Sequence, residues 1–492
     1  MSSNIIHSLT TNVPGLDLLM GGGLPEFSFN IIAGTPGSGK TTLAHQIMFS
    51  LAKPEYQALF FTVLGEPPLK MFRYQQQFSF FDVDKIGRSI HFVNLADDLL
   101  KGDYDSVMAR ITQEMQDHAP RLVFVDSFRS IVQAGREQSG TDFQLFVQRL
   151  AQQMTSWQAT TFLIGEHSFP EAQANPIFTV ADGILWMSQN VHRNSMVRKI
   201  QVAKMRGQAP TPGLHTFRID AEGVTIFPRA VLPPDTTVQT ANNSFPEIER
   251  LSMGVPALDD MLGGGLPSGY SLLLVGPSGS GKTVLATEFL AEGVRRGESG
   301  VIAAFEKSPR QMLSRKLHAL IKGGQVGLID THALDLSIDE ALHVLTALIE
   351  KMKAKRVVID SLSGFELALA PEFREDFRES LYRMISVLTK LGVTIVMTAE
   401  LEDRYTDLRF SSYGTAFLAD AIVLQRYTEI GGQINRVISV VKVRGSAHSR
   451  DIRSFDIADE GIKIGPRVQY EGVLSGRPIS SVFLDRSAPE NP

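Results

Sequence analysis

Two stretches of the sequence combine residue types and spacing suited to holding a polyphosphate. Gly34–Thr41 and Gly276–Thr283 fit the pattern G-x-x-x-x-G-K-[ST] at every specified position. Backbone N–H groups of such a loop surround phosphate oxygens, the lysine reaches the β- and γ-phosphates, and the threonine hydroxyl binds Mg²⁺. The predicted nucleotide ligands are Gly37, Ser38, Gly39, Lys40, Thr41 and Thr42 in the first stretch, and Ser278, Gly279, Ser280, Gly281, Lys282, Thr283 and Val284 in the second.

An aspartate closes an apolar segment in each half of the chain, and a serine follows it. Asp126 ends Leu122–Asp126, and Asp360 ends Val357–Asp360. In phosphate-loop proteins a strand-end acid holds Mg²⁺ directly or through water. The predicted metal ligands are therefore Thr41, Asp126, Thr283 and Asp360. The alternative is an aspartate that only caps the next helix.

Hydrolysis also requires a carboxylate that orients and deprotonates water in line with the γ-phosphate. The strand after each phosphate-loop helix ends toward the expected nucleotide crevice. Glu66 and Glu306 follow these segments, in Phe60–Pro67 and Ala303–Pro309. We predict that both are catalytic, against the alternative of solvated surface glutamates.

Pairs of cations recur before a glycine near the end of each half. Lys204 and Arg206 occupy alternate positions of a β-like segment, as do Lys442 and Arg444, so the two side chains of a pair face the same way. Two such cations can stabilise charge on a transferring phosphoryl group. Both pairs lie far in sequence from their own loop, so in a ring they would serve a neighbour's nucleotide. The alternative is a solvated edge strand.

These landmarks recur at a spacing of about 240 residues, which indicates a duplicated domain rather than a short solenoid repeat. The aperiodic stretch from Val231 to Ser244, rich in Pro, Thr and Asn, predicts a linker. We therefore predict domains at 1–230 and 247–470, a linker at 231–246 and a short tail at 471–492.

Short apolar segments, among them Thr160–Glu166, Gly183–Gln189, Val326–Asp330 and Arg356–Asp360, alternate with helical periodicity inside each copy. Their continuous apolar runs predict strands buried on both faces, hence an α/β fold with a mainly parallel sheet flanked by helices. Two further β-like stretches end each copy, Met196–Arg206 with Thr216–Phe227, and Asn435–Arg444 with Arg453–Ile464. They predict an antiparallel edge at the C-terminal side of each sheet, with turns at Glu222-Gly223 and Glu460-Gly461.

Composition limits the partners. The 492 residues carry a net charge of −5 and no cysteine, which excludes disulfides and thiolate chemistry. Neither half is basic, and the segment His167–Asn175 contains no Lys or Arg, so we expect no nucleic-acid partner. We see no secretion signal and no apolar run that could span a bilayer, and we expect a cytoplasmic protein without a membrane partner.

The doubled loops, the strand-end Asp-Ser pairs and the two K-x-R-G segments together resemble the KaiC family of RecA-like ATPases. The openings Gly15-Leu16-Asp17 with Gly21–Pro25, and Ala257-Leu258-Asp259 with Gly263–Pro267, strengthen the resemblance. It implies two tandem RecA-like phosphate-loop domains, ATP and Mg²⁺ as cofactors, and a homohexameric double ring whose nucleotide state controls its conformation and the binding of a small signalling protein. It also implies that a neighbouring subunit completes each nucleotide site with Lys204, Met205 and Arg206, or with Lys442, Val443, Arg444, Ser446 and His448.

The sequence departs from the family pattern at defined positions. The family's two adjacent catalytic glutamates are reduced to Gly65-Glu66 and Glu306-Lys307. We therefore expect the first copy to hydrolyse ATP and the second to bind it and hydrolyse it slowly. The hydroxyl acceptors of a family autokinase are replaced by Ala416 and Phe417, and Gln208 and Pro210 replace the family's T-x-H in the first copy. An autokinase, a RecA-like DNA-binding ATPase and a scaffold with inactive sites remain the alternatives.

Overall fold

The computed structural model of the protein describes most of the chain. The described residues are 7–63, 68–100, 104–128, 130–131, 140–167, 176–192, 195–230, 249–305, 314–330, 336–401, 417–430, 432–458, 461–471, 474 and 479–480. The chain divides into an N-terminal unit, Met1–Val231, and a C-terminal unit, Leu232–Pro492. Among the described residues, no helix is both long enough and apolar enough to cross a bilayer.

The N-terminal unit is built on a nine-stranded sheet. Its strands in chain order are β1 (Phe29–Gly34), β2 (Ala58–Thr62), β3 (Ile90–Asn94), β4 (Leu122–Asp126), β5 (Thr160–Glu166), β6 (Gly183–His192), β7 (Ser195–Met205), β8 (His215–Asp220) and β9 (Gly223–Phe227). Across the sheet they run in the order β3-β2-β4-β5-β1-β6-β7-β8-β9. The first six positions are parallel, and β7, β8 and β9 add an antiparallel edge.

Helices bury both faces of the parallel region, which explains its continuous apolar sequence. Along β1, Ile32 points into the core that contains the helix Lys40–Leu51, whereas Ile31 and Ala33 point into the core on the other face. The helices of this unit are α1 (Leu16–Met20), α2 (Lys40–Leu51), α3 (Pro68–Gln75), α4 (Ala96–Leu100), α5 (Tyr104–His118), α6 (Gly140–Ser156) and α7 (Pro176–Val180).

The C-terminal unit repeats this sheet. Its strands are β10 (Ser271–Gly276), β11 (Gly300–Ala304), β12 (Val326–Asp330), β13 (Arg356–Asp360), β14 (Thr394–Glu400), β15 (Ala421–Ile430), β16 (Gln433–Val443), β17 (Ile452–Ala458) and β18 (Gly461–Arg467). The order β12-β11-β13-β14-β10-β15-β16-β17-β18 matches the first sheet position by position. The predicted fold class is therefore confirmed in both copies.

The helices of the C-terminal unit are α8 (Pro256–Met261), α9 (Lys282–Arg295), α10 (Arg315–Lys322), α11 (Ile338–Met352), α12 (Leu362–Ala368), α13 (Pro371–Arg374) and α14 (Phe377–Lys390). Local sequence fixes several of their starts. Ser337 and Glu340 form a reciprocal capping box at the start of α11, and the Ser361 hydroxyl accepts from the Gly364 N–H at the start of α12. Two-residue strand pairs, Arg250–Leu251 with Leu266–Pro267 and Ser8–Leu9 with Leu24–Pro25, precede the two sheets.

Parallel strands bring their carboxyl ends to one edge of each sheet. In the N-terminal unit Gly34, Thr62, Asp126 and Glu166 end four neighbouring strands. In an open α/β sheet this edge is where ligands bind. The topology therefore assembles the candidate site from segments that are far apart in sequence.

Candidate nucleotide-binding sites

Each phosphate loop joins the central strand of its sheet to a helix. Gly39 and Gly281 precede α2 and α9 with φ angles of 98° and 100°, a left-handed conformation that favours glycine. A Cβ atom at these positions would lie 2.5 Å from Ile219 Cδ1 and 2.7 Å from Ile457 Cδ1. Glycine is therefore required both by the turn and by close packing against β8 or β17.

The loop lysines are buried and fold back onto their own loops. Lys40 Nζ donates to Thr35 O at 2.8 Å, and Lys282 Nζ donates to Gly276 O and Pro277 O at 2.9 and 2.8 Å. Burial lowers the pKa of Lys40, and the nearby carboxylates of Glu166 and Asp126 oppose that shift. Both ammonium groups lie at the loop that they are predicted to serve.

The predicted metal ligands of each unit are in contact. Thr41 Oγ1 donates to Asp126 Oδ2 at 2.7 Å, and Thr283 Oγ1 donates to Asp360 Oδ2 at 2.8 Å. The peptide bond that follows each aspartate, to Ser127 or Ser361, is cis. Burial raises the pKa of Asp126 to about 6, against the opposing effects of the Thr41 hydroxyl and the Lys40 ammonium.

A cavity of about 930 Å³ opens at the phosphate loop of the N-terminal unit. Gly37, Gly39, Lys40, Thr41 and Thr42 line it, together with Phe60, Thr62, Met71, Tyr74, Gln75, Asp126, Ser127, Ser130, Gly165, Glu166, Arg198 and Ile219. Within the described residues, two buried hydroxyls of the loop, Thr35 Oγ1 and Ser38 Oγ, have no hydrogen-bond partner. A ligand rich in acceptor oxygens would supply one, so the residues present fit a triphosphate.

The ligand types also fit magnesium. Mg²⁺ is typically held by one or two carboxylates with substrate phosphates and water rather than by a protein cage. Accordingly, the described part of the chain contains no cluster of three or more His, Asp or Glu side chains able to hold a metal alone. One aspartate and one threonine at the end of a phosphate loop are the set that a nucleotide-bound Mg²⁺ needs.

The structure describes only some of the other predicted site residues. Glu66 and Glu306 lie outside the described residues, so their catalytic role stays a prediction. Val284, which follows Thr283, packs partly against the core of the C-terminal unit. Ser278, Gly279 and Ser280 lie in the second loop between β10 and α9.

Sequence reasoning missed several residues at the sites. Glu166 ends β5 and lines the cavity, close enough to act electrostatically on both Lys40 and Asp126. Arg198 reaches the cavity from β7. Hairpin residues also touch the loops: Gln189 Nε2 donates to Pro36 O at 3.2 Å, and Tyr427 Oη donates to Ser278 O at 3.3 Å. The recurrence of a glutamate at the end of β5 and of β14, Glu166 and Glu400, was the available signal for the first of these.

The K-x-R segments lie at the opposite end of the sheets. Met205 pairs with Gly183, which pairs with Asn30, four residues before the end of β1. At about 3.3 Å per residue and about 4.8 Å between strands, Met205 is roughly 16 Å from Gly34. The same register relates Val443, Ala421 and Leu272 in the C-terminal unit. The cations therefore do not reach the loop of their own unit.

Both cation pairs are held in the same way. Lys204 Nζ donates to Thr179 O at 3.0 Å, and Lys442 Nζ donates to Ala419 O at 2.7 Å. Arg206 pairs with Asp182 at 3.0 Å, and Arg444 pairs with Asp420 at 3.2 Å, while 60% and 55% of the arginine side chains remain exposed. Burial, and then the adjacent arginine, lower the pKa of both lysines.

The residues after K-x-R-G contact the short strand at the start of their own unit, Ser8–Leu9 or Arg250–Leu251. The Ser446 hydroxyl accepts a hydrogen bond from Arg250, and Gln208 Nε2 donates to Ser8 Oγ at 2.9 Å. His448 Nδ1 is buried and has no hydrogen-bond partner among the described residues. These residues thus lie with the cation pairs and away from the phosphate loops.

The sheet order, the phosphate loops and the Thr–Asp contacts define a class: a protein with two tandem RecA-like, phosphate-loop nucleotide-binding domains. The family model described as "ATPase: KaiC" matches residues 9–231 and 251–469. The chain therefore belongs to the KaiC ATPase family.

Circadian clock proteins match nearly the whole chain. A circadian clock oscillator protein KaiC of Picosynechococcus is 27% identical over 98% of this chain and 94% of its own length. A circadian clock protein KaiC3 of Synechocystis is 27% identical over 96% of this chain and 95% of its own length. A circadian clock oscillator protein KaiC of Thermostichus vulcanus is 26% identical over 97% and 93%.

Proposed function

We propose that this protein is a magnesium-dependent ATPase that binds ATP in both units and hydrolyses it to ADP and phosphate, mainly in the N-terminal unit. One observation carries the proposal: each phosphate loop presents its lysine and threonine beside a strand-end aspartate, in two copies of one sheet. Family membership supports ATP as the nucleotide.

The chain's residues divide the work of catalysis. Lys40 exchanges its contact with the Thr35 carbonyl for phosphate oxygens, while Thr41 and Asp126 hold the metal. When bound there, Mg²⁺ would neutralise part of the negative charge that develops on the phosphates during transfer. Glu66 orients and deprotonates the attacking water. In the C-terminal unit Lys282, Thr283 and Asp360 bind the nucleotide in the same way, and Lys307 beside Glu306 slows hydrolysis there.

We propose further that the chain forms homohexameric rings in which a neighbouring subunit completes each nucleotide site. The K-x-R residues support this: they are held in one exposed arrangement in both units, yet lie roughly 16 Å from the end of their own central strand. A heterologous interface that closes into a ring brings such residues to the next subunit's nucleotide. Nucleotide state then controls ring conformation and the binding of a signalling partner.

The proposal does not extend to autophosphorylation or to DNA binding. Phe417 has no hydroxyl and its side chain is 53% exposed, while Ala416 and the nearby Ser411, Ser412 and Thr415 lie outside the described residues. The segments that would carry DNA-binding loops are poor in basic residues.

Separate substitutions of the two loop lysines test the ATPase proposal. Lys40→Ala should abolish most phosphate release, and Lys282→Ala should remove nucleotide binding at the second site with a smaller loss of turnover, because each lysine serves one triphosphate. Lys53→Ala and Lys351→Ala, at exposed positions of the same units, are matched controls expected to behave as the parent. Phosphate release is followed at saturating ATP and Mg²⁺. Full turnover in Lys40→Ala would contradict the assignment of the N-terminal site.

A further inference from the structure

The two nucleotide sites differ at the position beside the metal-binding aspartate. Strand register places Asp126 of β4 opposite Ile164 of β5. In the C-terminal unit the same register runs from Arg356 opposite Thr394 to Ile359 opposite Met397. One residue further along both strands, Thr398 lies beside Asp360. An alkyl side chain in one copy thus corresponds to a hydroxyl in the other.

That hydroxyl contacts the carboxylate directly. Thr398 Oγ1 donates to Asp360 Oδ1, while Thr283 Oγ1 donates to Oδ2 at 2.8 Å. Thr398 is fully buried and Asp360 is 8% exposed, so water does not compete for this contact. Both oxygens of Asp360 are therefore fixed by threonines from two different elements, helix α9 and strand β14.

Within the described part of the N-terminal site, the carboxylate is fixed from one side. Thr41 Oγ1 donates to Asp126 Oδ2 at 2.7 Å. Ile164, although equally buried, offers no donor to Oδ1. Among the described residues, two hydrogen bonds therefore restrain rotation of the carboxylate about its Cβ–Cγ bond in the C-terminal site, and one threonine hydroxyl restrains it in the N-terminal site.

We propose that Thr398 is a positioning residue for magnesium in the C-terminal site. The N-terminal site has Ile164 at the corresponding position and therefore binds the metal more weakly. The inference rests on the proposed function. A carboxylate whose orientation is set before the metal arrives loses less freedom on binding it. Hydrogen-bond partners of a metal-binding group typically change metal affinity by 10- to 100-fold when they are removed. The chain would thus combine a tightly loaded second site with a first site that exchanges its metal and nucleotide readily.

Isosteric substitutions at Thr398 separate the hydroxyl from the shape of the side chain. Thr398→Val removes only the donor, and Thr398→Ser keeps it. Each is made in the full chain with Lys40→Ala, so that a fluorescent non-hydrolysable ATP analogue reports the C-terminal site. We expect the Mg²⁺ concentration for half-maximal binding to rise about 10- to 100-fold in the Val variant and to stay within about threefold in the Ser variant.

The reciprocal change tests the same idea at the other site and does not depend on how well the Val variant folds. Ile164→Thr, made with Lys282→Ala, should lower the Mg²⁺ concentration for half-maximal binding about 10-fold. Melting temperatures without nucleotide are measured for all variants, because a purely structural role would change these alone.

The outcomes are distinguishable. The inference is supported if the Mg²⁺ concentration for half-maximal binding rises in Thr398→Val, stays nearly unchanged in Thr398→Ser and falls in Ile164→Thr. Equal Mg²⁺ concentrations for half-maximal binding in the Thr398 chain and in its Thr398→Val and Thr398→Ser variants would overturn it. A change confined to the melting temperature would do the same. Absence of any magnesium-dependent analogue binding in the chain with neither lysine replaced would refute the proposed function instead.

Discussion

Mixing two inactive variants should restore ATP hydrolysis if Arg206 acts on a neighbouring subunit's nucleotide. Lys40→Ala removes the phosphate-binding lysine, and Arg206→Ala removes the cation supplied in trans. Each variant alone should form rings with an impaired N-terminal site. In a mixed ring, an Arg206→Ala subunit next to a Lys40→Ala subunit regains both groups at one interface.

The structure sets the size of the effect. Arg206 is 60% exposed and pairs with Asp182 at 3.0 Å, and exposed ion pairs contribute about 1 kcal/mol or less, so Arg206→Ala should fold normally. An arginine supplied to a transferring phosphoryl group accelerates the reaction by about 10³-fold or more. Its own loop is out of reach, because Met205 lies roughly 16 Å from Gly34 and an extended arginine spans about 7 Å.

Random mixing in equal amounts places a complete pair at about one interface in four, since each of the two required neighbours is chosen with a probability of about one half in a heterologous ring. Phosphate release should therefore rise to about a quarter of the unsubstituted rate, above the residual rate of either variant alone. Subunit exchange is verified by native mass spectrometry, and a Lys53→Ala chain mixed with Arg206→Ala is the matched control.

Two results would refute this reasoning. Full activity of the Arg206→Ala homomer would show that the arginine is not used in catalysis. Exchange of subunits without any gain in rate would show that Arg206 and Lys40 act within one chain, or that the N-terminal sites are not completed in trans.

Two further predictions concern stability. Burial lowers the pKa of His45 to about 4, and the centre of its ring lies 4.7 Å from that of Phe60. Because the folded unit binds the proton less readily than the unfolded chain, its free energy of unfolding should fall by about 2 kcal/mol from pH 7 to pH 5. His45→Phe should remove most of that pH dependence in melts at the two pH values. A chain that melts alike at both pH values would contradict it. Gly293→Ala would place a Cβ 2.5 Å from Cδ of the buried Arg356, which pairs with Glu298 at 2.7 Å, and it should cost about 1–3 kcal/mol in denaturant titrations. The same substitution should cost less in an Arg356→Leu chain, which carries the residue type found at Leu122 in the first copy, because the arginine atoms that the new Cβ would meet are then absent. An equal cost of Gly293→Ala in the parent chain and in the Arg356→Leu chain would refute the steric explanation.

The periodicity of the sequence predicted most of the fold correctly. Val326–Asp330, Arg356–Asp360 and Thr160–Glu166 are strands with the predicted bounds. Others differ by a few residues, such as Gly183–His192, which continues three residues beyond the predicted Gln189 because hairpin pairing with β7 extends past the buried region. The stretch Thr216–Phe227 is two strands that pair with each other around the predicted Glu222-Gly223 turn.

The phosphate loops, the threonines and the strand-end aspartates could be predicted from the sequence because each lies within a short local pattern whose chemistry depends on spacing alone. Arg198 and Gln189 could not, because strand order across the sheet, rather than distance along the chain, brings them to the loop. The same holds for the contrast between Ile164 and Thr398: both are ordinary buried strand residues in the sequence. Only the register of β5 with β4, and of β14 with β13, places one of them as a hydroxyl beside a carboxylate and the other as an alkyl group, since hydrogen bonding requires proximity in space.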